Sequence, residues 1–83
     1  MNLPYEMEHF AAAVRSARNA LGWAQKDLAR VTGLSLPTIA RVETGHNPQA
    51  VTMLQLIKLF KARGIEFDWR PDGFKMETIF LVS

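Results

Sequence analysis

Between Gln25 and Val42 the chain reads QKDLARVTGLSLPTIARV, and no other stretch limits the fold so tightly. Two short helical patterns are separated by a glycine and a serine. Ala29 is small at the point where one helix must let another approach. Gly33 lies just past the first pattern, where the chain reverses and a left-handed conformation is easiest for glycine. Ser35 is a ready N-cap for the second pattern, and Ile39 and Val42 follow on one helical face. The expected unit is a pair of short helices joined by a tight turn, the second held by its buried face.

The remaining periodicity supplies the rest of a helical body. Met7, Phe10, Val14, Ala17 and Leu21 recur at helical intervals, which predicts a first helix over about Glu6–Leu21, ended by Gly22. A second helix starts near Gln25 and buries Leu28 and Ala29, with Val31 and Leu34 closing over the turn. The third runs from about Leu36 to Thr44 and stops at Gly45 and the loop His46-Asn47-Pro48. The fourth spans about Ala50–Ala62, with Met53, Leu54, Leu56, Ile57 and Phe60 expected inward, and Gly64 ends it.

After Gly64 the period changes. Ile65, Phe67 and Trp69 alternate with Glu66 and Asp68, a strand pattern. Arg70-Pro71-Asp72-Gly73 is a turn: proline presets φ at its position and glycine supplies a positive φ. Phe74, Met76, Thr78, Phe80 and Val82 then alternate with Lys75 and Glu77, while Ile79–Val82 is apolar on both faces. A strand apolar on both sides needs cover, and an isolated hairpin is marginal in water. The simplest cover is the same strand of a second copy, so Phe67, Trp69, Phe74, Met76, Phe80 and Val82 are the expected dimerisation residues. The expected fold is therefore mainly α: a four-helix body over 1–64, then a C-terminal β-hairpin or strand pair over 65–83 shared across a dimer.

Composition narrows the function. A chain of 83 residues is one domain with a small core, and 48% hydrophobic content argues for a folded globule. With no cysteine there is no disulfide framework and no thiolate metal site. The apolar runs Phe10–Val14 and Ile79–Val82 are too short to cross a bilayer. The start MNLPYEMEHF has no basic n-region, so no signal peptide is read and the cytoplasm is the expected location. No phosphate-binding GxxxxGK loop, zinc-ligand spacing or nucleophile beside a base is present, so neither an enzyme nor a cofactor or metal is expected.

Charge is informative by its placement. From His9 to Arg63 the acids are Asp27 and Glu43, against Arg15, Arg18, Lys26, Arg30, Arg41, Lys58, Lys61 and Arg63. Glu6, Glu8, Glu66, Asp68, Asp72 and Glu77 lie outside. A basic body with acidic ends suits a nucleic-acid footprint, or equally an ordinary solvated surface. The third helix offers Ser35, Leu36, Pro37, Ala40 and Arg41 on its exposed face. Such a slim edge fits the major groove, where Arg reads guanine O6 and N7 and apolar groups touch the thymine methyl. Gln25, at the start of the second helix, would lie across the backbone, where helix N-terminal amides attract phosphate. Lys26, Thr38, His46 and Asn47 are further backbone candidates, His46 equally a plain loop residue. His9 reads as a surface residue and Trp23 as a core plug under the second helix.

Over roughly Phe10–Ile65 these residues resemble the phage repressor and Cro (XRE-type) helix-turn-helix family. Gly22-Trp23-Ala24-Gln25, Leu28, Ala29, Gly33 and the run from Ser35 to Gly45 carry the resemblance. It implies a lambda-repressor-like body with the helix-turn-helix at about 25–44. By the same resemblance Gln25 contacts phosphate, Leu36, Pro37 and Arg41 specify sequence, and Arg18 pairs with Glu43 as a structural ion pair. The chain departs from the family in two places. Ala24 stands where Thr or Ser usually caps the second helix, a loss of about 1 kcal/mol, which Asp27 offsets in part through the dipole. Pro37 sits in the first turn of the third helix, where its missing N–H breaks no bond, and Ser35 must then cap through the amide of Thr38.

The implied function is a sequence-specific transcriptional regulator, a homodimeric repressor on a pseudo-palindromic operator in double-stranded DNA. The alternative is an antitoxin. The tail GIEFDWRP resembles that of antitoxins that restrain HipA-type kinase toxins, which would add a toxin protein as partner. A protein-interaction module without DNA binding is the third reading. A bacterial or phage origin accompanies these expectations, and no membrane partner is expected.

Overall fold

The computed structural model describes residues 3–70 and 75–80, with side-chain surroundings given for 10–67. Four helices precede a strand pair: α1 (Leu3–Ala20), α2 (Gln25–Thr32), α3 (Leu36–Glu43), α4 (Ala50–Ala62), β1 (Ile65–Arg70) and β2 (Lys75–Phe80). The helical part agrees with expectation, and α1 begins earlier than Glu6. Pro4 does not prevent this, because first-turn amides have no intrahelical partner to lose.

α2 lacks a side-chain cap from Ala24, and Asp27 takes over the task. Its Oδ2 accepts the Ala24 N–H at 2.9 Å and its Oδ1 accepts from Arg30 Nη2 at 2.9 Å. The backbone donor first, and the guanidinium second, hold the Asp27 carboxyl below its ordinary value. At the other end Gly33 has φ +80° and donates to Ala29 O at 2.9 Å, the left-handed stop that a tight turn requires. Thr32 braces this turn: its hydroxyl donates to Leu28 O at 2.7 Å and accepts from the Leu34 N–H at 3.2 Å. α3 then starts on Ser35, whose Oγ accepts the Thr38 N–H at 3.2 Å, with Pro37 in the first turn.

The core draws on every helix and on β1: Phe10, Val14 and Ala17 of α1, Leu28 of α2, Ile39 and Val42 of α3, Leu56 and Phe60 of α4, and Ile65. Trp23 is half-buried against this cluster, under the guanidinium of Arg63, which lies 5.0 Å from the ring centroid. Leu54 corrects an expectation. It is 55% exposed, because helical rotation puts it opposite Leu56 and Phe60, while the half-buried Leu59 takes a core-facing place.

β1 and β2 form an antiparallel pair within the chain, in register from Ile65 opposite Phe80 to Arg70 opposite Lys75. β1 packs against α4 and β2 against α1, so α1 of the same chain supplies cover for β2. Phe67, expected at a dimer contact, packs edge-on to Phe10 (centroids 6.1 Å apart) and beside Phe60 (5.7 Å). Trp69, Met76 and Phe80 lie on the strands; Phe74 and Val82 fall outside the described residues.

Candidate nucleic-acid interface

A dense set of polar contacts lies at the C-terminal end of α3. Glu43 is buried there, and a buried carboxylate is tolerable only when paired and hydrogen-bonded. Its Oε2 accepts from Arg18 Nε at 2.7 Å, and its Oε1 accepts from Arg18 Nη2 at 3.0 Å and Gln25 Nε2 at 3.0 Å. Arg18 also donates from Nη1 to Trp23 O at 2.8 Å. The hydrogen bond to Glu43 raises the Arg18 pKa, against the opposing pull of burial, so the guanidinium stays charged. Arg15 Nη1 donates to the backbone carbonyl of Glu43. One acidic residue of α3 thus gathers two arginines of α1 and the first residue of α2. The Arg18–Glu43 pair is the one that the resemblance implies. Arg15 was not singled out, although it lies three residues before Arg18 on the same helical face.

The opposite end of α3 has no such clamp. Ser35, Leu36 and Pro37 are exposed, Ala40 is half-buried, and Arg41 is exposed beyond them. The Ser35 and Thr38 hydroxyls lie 2.8 Å apart and bond to each other. With both partly satisfied locally, the leading edge is apolar, formed by Leu36 (46% exposed) and Pro37, with Arg41 as its long donor. Such a surface can enter a groove without desolvating buried charge, touch methyl groups and direct a guanidinium at base edges.

Between the second half of α3 and the loop to α4 lies an open cleft of about 370 Å³. Thr38, Arg41, His46 and Asn47, four of the expected DNA-facing residues, all line it. α3 ends in a double wrap, with His46 N donating to Arg41 O at 3.0 Å and Gly45 N to Val42 O at 3.1 Å. His46 is further tied by Nδ1, 3.0 Å from the Thr44 hydroxyl. Gln25 and Lys26 stand apart from this cleft, at the start of α2; Lys26 is exposed, whereas the Gln25 side chain is engaged by Glu43.

The structure sharpens the reading of charge. Both acids between His9 and Arg63 are paired within the chain, Glu43 in a buried setting by Arg18 and Gln25, and Asp27 near the surface by Arg30 and the Ala24 amide. Arg15, Lys26, Arg41, Lys58, Lys61 and Arg63 remain on the exposed surface of the helical body. Its outward face is therefore more positive than the formal net charge of +2 suggests. Among the described residues no group of His, Cys, Asp and Glu is arranged to hold a metal ion. No helix among them is long and apolar enough to cross a membrane.

A short helix, a glycine turn and a second helix exposed along one edge and buried along the other define a helix-turn-helix. A helix-turn-helix family model matches residues 14–69, and the chain belongs to this family of XRE-type, Cro/C1-like DNA-binding transcription regulators. Comparison with curated proteins and with solved structures finds no match.

Proposed function

We propose that the chain is a sequence-specific repressor that binds its own promoter region as a homodimer, each copy placing α3 in the major groove. The observation that carries this reading is the asymmetry of α3: its C-terminal end is fixed in the body while Leu36, Pro37 and Arg41 lie exposed, with Ala40 half-buried beside them. In this assignment Arg41 reads guanine, while Leu36, Pro37 and Ala40 meet methyl groups and groove shape together with Ser35. Gln25, Lys26, Thr38, His46 and Asn47 touch the backbone. A dimer of such units matches a pseudo-palindrome with half-sites one helical turn apart. The role is binding in the cytoplasm, without catalysis.

The deciding experiment is binding of the purified protein to the DNA upstream of its own coding sequence, at two salt concentrations, against a scrambled duplex. Tighter, salt-weakened binding to the upstream DNA is expected. Equal binding to both duplexes overturns the sequence-specific reading, and no binding to either favours a protein-interaction module. Sedimentation of the same sample tests the dimer. The antitoxin reading draws on the strand β1 that directly follows α4, and it predicts a stable complex with a HipA-type kinase encoded beside this chain.

A further inference from the structure

We infer that Glu43 is a positioning residue for docking on the DNA backbone, acting through Gln25; this rests on the DNA-binding reading above. Glu43 lies on the buried side of α3 and does not itself reach the exposed edge. Its carboxylate nevertheless holds the amide of Gln25, the first residue of α2, at 3.0 Å. A carboxylate only accepts hydrogen bonds, so the nitrogen end of the amide must face it and the flip of the Gln25 side chain is chemically determined. One N–H is used by Glu43. The second is left for an acceptor outside the body, and the half-buried position of Gln25 gives it a limited range of directions.

A free glutamine would have to give up several rotamers on meeting a phosphate, whereas this one has lost them in the unbound protein. The same carboxylate is gripped by Arg18 of α1 through two nitrogens, which fixes the anchor itself. Arg15 holds the Glu43 carbonyl, so the end of α3 cannot slide away from α1 without breaking both sets of bonds. Gln25 and Arg41, the assigned backbone and base contacts, are in this way referred to one fixed point. If α3 shifts in the groove, the backbone contact shifts with it.

A double-mutant cycle tests this. Gln25→Ala, Glu43→Gln and the double variant are compared with the unsubstituted chain for binding to the upstream duplex, below the thermal midpoint of the least stable protein. Each single change is expected to weaken binding by about three- to tenfold, the scale of coupling between touching residues. The double variant is expected to be no weaker than Glu43→Gln alone. In the free protein the Gln25 side-chain amide resonance should move in Glu43→Gln, a change that loss of stability alone would not produce in a folded sample. If Glu43→Gln does not fold, Glu43→Asp keeps the negative charge near Arg18 while shortening the reach to Gln25, and the same non-additivity is expected. Independent, multiplying losses overturn the inference, as does an unaltered affinity in Gln25→Ala. Failure of the unsubstituted chain to bind any duplex instead overturns the DNA-binding reading and this inference with it.

Discussion

The two ends of α3 are built on opposite principles. At Glu43 the helix is locked by long-range contacts to α1 and α2 through ionic and charge-assisted hydrogen bonds in a buried setting. At Ser35 the helix is held by local bonds alone, between a cap, the Thr38 amide and the Thr38 hydroxyl, all near solvent. The difference shows how one eight-residue helix can be fixed in the body at one end and left open to solvent at the other. Its buried carboxylate lies where it orients the fold, while Leu36, Pro37 and Arg41 are left outside.

This contrast predicts effects of different size and kind. Arg18→Ala strands the Glu43 carboxylate, and chemical denaturation should show a loss of about 3–5 kcal/mol. A loss below 1 kcal/mol would mean that solvent reaches this end as freely as the other. Arg41→Ala should leave stability nearly unchanged but cost about 1–3 kcal/mol in affinity for the preferred duplex, flattening preference against a scrambled one. Unchanged discrimination would remove Arg41 from the reading edge. Ser35→Ala should cost about 1 kcal/mol of stability, because the Thr38 amide loses its acceptor, with little effect on the Glu43 end.

The smallest effect concerns acid. Asp27 titrates below its ordinary value of 3.8, held down by the Ala24 N–H and then by Arg30. A depressed carboxyl stabilises the fold above the unfolded value, and that stabilisation disappears as pH falls through the lowered folded value. Asp27→Asn should therefore flatten the acid limb of a stability titration below about pH 4 by lowering the neutral plateau, so that the two proteins converge in acid. An identical acid limb in both proteins would show that Asp27 does not cap α2.

Much of the helical body was legible because its signals are local. Gly33 and Ser35 mark a turn and a cap by their own chemistry, and the boundaries of α2, α3 and α4 fall within a residue of the places those signals indicate. Facing was harder to read. α4 carries apolar residues almost all round, so hydrophobicity alone did not separate Leu54, which is outside, from Leu59, which is half-covered. Contacts between distant segments were the least legible. Nothing near Gln25 announces that its amide turns to Glu43, since the partner lies 18 residues on and depends on how α1 presents Arg18. Nor does alternation in a strand reveal that α1 covers it, because a second copy and a helix of the same chain satisfy the same pattern.

The placement of Ile65 bears on how such a chain can be recombined. Although the periodicity changes at Gly64, Ile65 is 1% exposed and belongs to the same cluster as Phe10 and Phe60, with Phe67 packed on both rings. A graft joined at Gly64 would take the whole reading unit but leave an opening in its floor. A joint placed after Phe67 would carry these core residues along, so the usable border of the module lies inside the first strand.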